Sequence, residues 1–173
     1  MNTPTTGNTP TASPTPWQQF ADQAPDLAER MRARFTAARH HVLATLTRDG
    51  SPRVSGTEVE FRGDDLLIGS MWEARKARDL RRDGRFALHA HTGDGSMACG
   101  DAKLTGLAVE VIDPTTLRAV ADDHHMSGGP SEPFHLFQLL IGTAVLTSVH
   151  PDGDRLVIES WRPGEPVRRV ERR

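Results

Sequence analysis

Two adjacent cations, Arg75 and Lys76, follow a short apolar strand at residues 66–70 and open a predicted helix. A helix N-terminus presents free backbone N–H groups and the positive end of the helix dipole, and cations there add charge-assisted hydrogen bonds to an anion. The pattern therefore predicts a phosphate-binding site. Three more cations follow in the same stretch: Arg78, Arg81 and Arg82. A run of charges is usually a solvated helix face, which is the alternative interpretation.

The elements on each side favour the phosphate interpretation. Val54-Ser55-Gly56-Thr57 lies in the strand before, and residues 85–91 form the strand after the helix. The chain order is strand, hairpin, strand, cationic helix, strand. Gly56 has two interpretations: it either lets a ligand approach the backbone closely or marks a bulge in an ordinary strand.

This stretch resembles the core of the pyridoxamine-phosphate-oxidase-like split β-barrel proteins, whose members bind FMN or a deazaflavin coenzyme. The resemblance is carried by PRVSGTEVEF, a tight turn, LLIGS and then ARKARDLRRDGRFALHA, and it covers residues 40–112. Its most specific element is an Arg-Lys-Ala helix start that follows a strand ending in Ser or Thr. The matching residues are Ser70, Ala74, Arg75, Lys76, Ala77 and Leu80. The family often has Ser before the Arg-Lys pair, so Ala74 is a departure that removes one hydroxyl from the phosphate site.

The resemblance implies a set of cofactor-binding residues. These are Val54, Ser55, Gly56, Thr57, Ser70, Met71, Trp72, Arg75, Lys76 and Trp161. Arg75 and Lys76 would hold the phosphate with help from Ser70, and residues 54–57 would run along the ring system. Trp72 would cover part of the cofactor beside the strand end, and Trp161 would reach the cofactor from the C-terminal segment. Either could instead be an ordinary aromatic plug of the barrel.

The implied function is two-electron, hydride-type transfer between FMN and a small organic substrate, at a site in a homodimer interface. Coenzyme F420, the deazaflavin, is the alternative cofactor, because the Arg-Lys pair suits any phosphate and the further arginines suit an extended acidic tail. A non-catalytic flavin or haem carrier is the alternative function. No side chain is identified as a catalytic acid or base, and resemblance of fold does not fix the substrate.

Beyond residue 40 the chain reads as a succession of strands. Alternation and turn residues predict seven, at 41–47, 53–61, 66–70, 85–91, 100–113, 134–149 and 155–161. Six or seven strands with few helices predict a mainly β fold, a small antiparallel split β-barrel. Gly106 inside a long strand predicts a bulge or bend. Helical spacing predicts one helix at residues 25–38, and Pro114 begins another that extends to about residue 121.

Composition divides the chain into one domain and two tails. Residues 1–16 are almost free of apolar side chains and are predicted to be a disordered tail. The split-barrel domain is assigned to residues 17–163 and a C-terminal tail to residues 164–173.

The formal net charge of −2 and the lack of aromatics among the basic residues argue against nucleic-acid binding. No segment is apolar for the length that a membrane span needs, and the single cysteine, Cys99, excludes an intrachain disulfide. These features predict a cytoplasmic protein without a membrane partner. No metal site is predicted: among the eight histidines, His89 and His91 share a strand face but lack further ligands.

Overall fold

The computed structural model of the protein describes residues 12–93, 97, 100–123 and 133–173. Most of the predicted disordered tail, Cys99 and the segment at residues 124–132 lie outside these residues. Nine strands are described: β1 His41–Leu46, β2 Pro52–Thr57, β3 Glu60–Arg62, β4 Asp65–Met71, β5 Arg85–His89, β6 Asp101–Glu110, β7 Phe134–Val149, β8 Leu156–Trp161 and β9 Arg168–Arg172. Four helices accompany them: α1 Trp17–Gln23, α2 Pro25–Thr36, α3 Arg75–Arg82 and α4 Pro114–Asp122.

All nine strands form one antiparallel sheet in the order β2-β1-β5-β6-β7-β4-β3, with β8 and β9 added beside β7. Strands β2 and β3 lie at opposite ends of this order, yet only residues 58 and 59 separate them in the chain. The sheet must therefore curl until its two ends meet, which is the geometry of a barrel. One end of the sheet is formed by β2 and the other by β4 and β3. We call the line along which these two ends approach each other the seam.

The mainly β, split-barrel prediction is confirmed, but the sheet has nine described strands rather than six or seven. The predicted strand at 53–61 is two strands because β2 pairs with β1 and β3 pairs with β4, so the chain crosses the seam between them. The predicted C-terminal tail contains β9, which pairs along β8 from Ser160↔Arg168 to Leu156↔Arg172. Val170 is the one apolar residue of β9, so no apolar alternation signals this strand.

The long strand β7 changes partners along one edge. Its first residues pair with β4, from Met71↔Phe134 to Leu67↔Gln138, and its last residues pair with β8. Thr15 makes an isolated bridge to Ile141 in the gap between them. The predicted tail therefore joins the sheet before it ends at residue 16.

The bulge predicted at Gly106 is confirmed as a shift in the β6–β7 register. Thr105 pairs with Thr143 and Gly106 with Ile141, so the extra residue is Gly142 on β7. A Cβ at Gly106 would lie 1.9 Å from the carbonyl oxygen of Leu140, so only glycine fits there.

Helices α1 and α2 cover the inner face of the sheet with an apolar side that includes Trp17, Phe20, Met31 and Phe35. The sequence pattern predicts α2 but not α1, whose seven residues are too few to show a period. Helix α4 begins at Pro114 as predicted and is capped by Asp113, whose carboxylate accepts the Thr116 N–H at 2.8 Å. Among the described residues, no helix is long and apolar enough to span a membrane.

Candidate functional site

A cavity of about 320 Å3 lies at the seam, where the ends of β2 and β4 meet the first turn of α3. We call it the Gly56 cavity. It is lined by His40, Gly56, Thr57, Glu58, Gly69, Ser70, Met71 and Lys76. Five of these residues belong to the predicted cofactor site: Gly56, Thr57, Ser70, Met71 and Lys76. The structure thus brings half of the ten predicted residues around one cavity.

Gly56 leaves room in this cavity. A Cβ built on it would have no heavy atom within 4 Å, and its pairing with Val42 continues the β1–β2 register without a break. The bulge interpretation of Gly56 is therefore wrong. The backbone here is open because the residue lacks a side chain, so a flat group can approach the strand.

Lys76 connects α3 to β2. Its Nζ donates to the Gly56 carbonyl oxygen at 2.8 Å, across the seam. Burial lowers the pKa of Lys76, and the nearby Glu58 carboxylate partly opposes that shift. Among the residues that the structure describes, the close partner of this half-buried ammonium is a carbonyl, so it gains from an anion in the same cavity.

Arg75, the other member of the predicted pair, lines a second cavity of about 490 Å3. We call it the arginine cavity. It is lined by Arg48, Arg53, Arg75, Arg78, Asp79 and Arg82. Adjacent residues at the start of a helix point in directions about 100° apart. The pair therefore serves two neighbouring cavities.

Asp79 organises the arginine cavity from within. This carboxylate is buried and accepts from Arg53 Nε at 2.6 Å, Thr45 Oγ1 at 3.0 Å and Arg82 Nη2 at 3.1 Å. Burial acts to raise the pKa of Asp79, but these hydrogen bonds and the charge of Arg53 together hold it below the ordinary value.

The other three guanidinium groups of the arginine cavity are available to bind a ligand. Arg48, Arg75 and Arg78 form no ion pair with a carboxylate among the residues that the structure describes. Five guanidinium groups face one carboxylate, so the cavity carries a formal excess of four positive charges. It can accept one or more anionic groups.

Trp72 lies beside the Gly56 cavity without lining it. Its ring stacks on that of His135, with centroids 4.6 Å apart and an interplanar angle of 5°, and 55% of the residue is exposed. One face of the indole is therefore occupied by the protein, and the rest is accessible to a ligand or a partner.

Three other predicted residues lie outside the cavity. Val54 is 70% exposed and Ser55 is half-buried on β2, and neither lines the Gly56 cavity. Trp161 is buried in the core, where its ring packs 4.6 Å from that of Phe20. Trp161 therefore packs against helix α1, which the sequence pattern misses, and lines neither cavity.

Sequence reasoning also missed residues that line the Gly56 cavity: His40, Glu58 and Gly69. His40 immediately precedes the predicted strand at 41–47, and Glu58 lies inside the predicted strand at 53–61, at the point where the structure divides it into β2 and β3. Glu58 is paired with Arg39 Nε at 2.9 Å and lies 3.7 Å from His40 Nδ1, so it fixes the polar wall of the cavity.

One cluster has the composition of a metal site. His150, Asp152 and Asp154 place ligand atoms within 4.8 Å of one another. Arg155 Nη1 bonds Asp154 at 2.6 Å, and Arg155 Nη2 lies 2.9 Å from His150 Nε2. The Arg155 guanidinium thus contacts all three residues, with Nη2 3.5 Å from Asp152, and offsets the negative charge of the cluster.

Comparison with known proteins identifies the fold. No family model matches the sequence. The structure is similar to PhzG from Burkholderia lata 383 in complex with tetrahydrophenazine-1-carboxylic acid, with a TM-score of 0.64 and 16% identity over 91% of this chain and 93% of that one. A pyridoxamine 5'-phosphate oxidase-related, FMN-binding protein from Nostoc punctiforme gives a TM-score of 0.63 and 10% identity over 87% and 96% of the two chains.

A haem-binding protein from Mycobacterium smegmatis shares the fold as well, with a TM-score of 0.59 and 20% identity over 79% of this chain and 58% of that one. The chain therefore has the split β-barrel fold of the pyridoxamine-phosphate-oxidase-like proteins, and the resemblance seen in the sequence is confirmed at the level of the fold. At these identities fold alone is shared, and function must be argued from the site.

Proposed function

We propose that the protein binds a flavin-type cofactor, FMN in the first instance, and uses it for two-electron transfer to or from a small organic substrate. The observation that carries the proposal is the pair of adjoining cavities at the start of α3, one open to a flat group at Gly56 and both provided with cations. Similar structures include an FMN-binding protein, which supports a flavin here.

The described residues fit such a cofactor. The backbone at Gly56 is open toward the cavity, as a flat ring requires, and Ser70 and Thr57 offer hydroxyl groups in the same wall. Lys76 and Arg75 present two cations on either side of the helix start, suited to a phosphate that lies between the cavities. When bound, the flavin would supply the hydride chemistry. The chain's own residues would bind the phosphate, orient the ring and limit access of water.

Coenzyme F420 is the second candidate cofactor, and the arginine cavity favours it. One phosphate neutralises at most two of the four excess positive charges of that cavity. Arg48 and Arg78 could accept the additional carboxylates of an acidic tail. A side-by-side comparison of the two cofactors decides between them.

A haem carrier is the second candidate function. His40 lines the Gly56 cavity and is exposed, so its imidazole would be available to bind a haem iron. One of the similar structures is a haem-binding protein.

We further propose that the protein is a homodimer through the outer face of the sheet. Residues paired across neighbouring strands share a face, and the pairs Ala44↔Val54 and Val42↔Gly56 place exposed apolar groups beside the end of β2 that reaches the cavity. An exposed face of this kind is better covered by a second copy related by a twofold axis. A copy seated there would also approach the Gly56 cavity.

The test is reconstitution of the purified protein with FMN, F420 and haem in turn, followed by absorption spectroscopy and calorimetric titration. We expect saturable flavin or F420 binding that falls at least about tenfold in Lys76→Gln, because a charge-assisted contact is lost. Arg172→Gln, which removes one exposed cation on β9, is the matched control and should bind like the wild type. Binding of haem alone, with ligation lost in His40→Ala, would instead establish the carrier function.

A further inference from the structure

A histidine that lines neither cavity, His135, holds the turn that leads into the start of α3. The His135 side chain on β7 is 2% exposed. Its Nδ1 lies 2.7 Å from Glu110 Oε1 on β6, and its Nε2 accepts the backbone N–H of Glu73 at 3.3 Å. Trp72 stacks on the same ring. Two consecutive residues of the β4–α3 turn are therefore attached to one imidazole.

The turn needs this support because of its backbone. Glu73 has φ of +56°, a left-handed conformation that costs a non-glycine residue about 1 kcal/mol. Its N–H points to His135 instead of continuing the β4 ladder. Residues 72–74 lead directly into Arg75 and Lys76, so a change at this turn moves the start of α3 and with it the cations of both cavities.

The hydrogen bonds define which form of the histidine is present. Because Nε2 accepts from Glu73, the ring proton lies on Nδ1 and is donated to Glu110. A protonated imidazole carries hydrogen on both nitrogens and has no acceptor left. The turn as described is therefore compatible only with neutral His135.

The charged groups around the ring define the alternative arrangement. Glu110 faces it from β6, and the Glu73 carboxylate lies 3.9 Å from Nε2. Arg81 on α3 contacts both carboxylates, with Nε 2.9 Å from Glu110 Oε2 and Nη1 3.9 Å from Glu73 Oε1. A proton on Nε2 would donate to the Glu73 carboxylate and displace the Glu73 N–H.

From this geometry we propose that His135 is a positioning residue that couples the protonation of one buried imidazole to anion binding at the start of α3. In the neutral form it accepts the Glu73 N–H and holds the turn for binding. In the protonated form it releases that N–H and the turn rearranges. Arg75 and Lys76 then lose the positions that they hold at the two cavities. The inference rests on the proposed function, whose phosphate site it regulates.

The test compares the pH dependence of FMN affinity in the wild type and His135→Gln. Glutamine places an amide oxygen near the position of Nε2 and cannot titrate in this range, so it should keep the acceptor at every pH. FMN phosphate itself gains a proton near about pH 6, which weakens binding in both proteins equally. The difference in pH dependence between the two proteins therefore reports the contribution of His135.

We expect similar affinities at about pH 8 and a wild-type affinity that falls about fivefold more than that of His135→Gln at about pH 5.5, the effect of losing one hydrogen bond. His150→Gln is the matched control, because His150 lies in the β7–β8 turn and outside both cavities. The pH dependence of FMN affinity in this variant should follow that of the wild type. Parallel curves for the wild type and His135→Gln would overturn the coupling.

A readout without cofactor keeps this result separate from the proposed function. The amide resonance of Glu73 in 15N-labelled protein should shift with pH in the wild type and in the control, and stay constant in His135→Gln. If FMN does not bind the wild type at any pH, the proposed function fails, and the Glu73 amide alone decides on the coupling. An amide that is insensitive to pH in the wild type overturns the inference.

Discussion

Thr15 and Ile141 exchange both of their backbone hydrogen bonds, at 3.0 Å from Thr15 N to Ile141 O and 2.7 Å from Ile141 N to Thr15 O. The pair fills the part of the β7 edge that neither β4 nor β8 covers. Thr15 is buried although it precedes α1, and the next buried residue is Trp17. A segment of low apolar content is thus held by backbone pairing and not by its side chains.

The first prediction concerns this segment. A chain that begins at residue 17 should unfold at lower urea concentration than one that begins at residue 12, because two buried backbone hydrogen bonds and the covering of Ile141 are lost. The expected loss is about 1 to 3 kcal/mol of unfolding free energy. Equal midpoints for the two chains would show that the bridge contributes nothing.

Substitutions at Gly106 and Gly56 should have opposite effects on the stability of the fold. Gly106→Ala forces a methyl group onto the Leu140 carbonyl and should cost about 3 kcal/mol or more, or prevent folding. Gly56→Val meets open space and should leave the free energy of unfolding within about 0.5 kcal/mol of the wild type, while it fills the cavity and weakens FMN binding. Urea unfolding and FMN titration of both variants check this. Full FMN affinity in folded Gly56→Val would place the ring elsewhere.

Asp79→Asn tests the internal support of the arginine cavity. The pKa of Asp79 is depressed, so its stabilisation is complete above the ordinary value of 3.8 and is lost as pH falls through the lower folded-state pKa. The variant should lose about 3 kcal/mol at neutral pH, since Arg53 and Arg82 lose their buried partner, and less at about pH 2. Asp83→Asn, in a surface pair with Arg85, is the control that should keep its midpoint near neutral pH.

The alkaline limit of anion binding should be set by Lys76. Burial lowers the pKa of this group from the ordinary 10.5, and only its protonated form attracts a phosphate. FMN affinity should therefore fall as pH rises through a value below 10.5, and Lys76→Arg should extend binding to higher pH because arginine stays charged. Identical alkaline profiles for the two proteins would remove Lys76 from the phosphate site.

The proposed dimer gives the last prediction. Val54 is 70% exposed on the outer face of β2, so Val54→Asp should not disturb the folded subunit. In a dimer formed through this face, the variant would bury a carboxylate and shift the equilibrium to monomers. Sedimentation of both proteins at several concentrations measures this. Val167→Asp, at an exposed position before β9, serves as the control.

The sequence predicts strands and helices well where their apolar residues recur at a regular spacing or where turn residues mark their ends. The strand Phe134–Val149 and the helix from Pro114 match their predicted bounds closely, because apolar alternation and proline are local signals. Strand β9 and helix α1 were missed, since Arg168–Arg172 has a single apolar residue and Trp17–Gln23 is too short for a helical period.

The candidate site was predicted in part. Gly56, Ser70 and Lys76 meet in one cavity, as the family resemblance implied. The resemblance implied that Trp161 reaches the cofactor from the C-terminal segment, but the side of the sheet that a strand-end residue faces depends on register. The roles of Asp79 and His135 could not be predicted, because each depends on partners more than twenty residues away.

The packing of Phe20 against Trp161 has a consequence for synthesis of the chain. The N-terminal helices leave the ribosome first, but the strands that cover their apolar side are made last. Until residue 161 has emerged, Trp17, Phe20 and Met31 have no complete surface to bury against. The apolar side of these helices therefore stays incompletely covered until β8 has been made, and incompletely covered apolar surface favours aggregation.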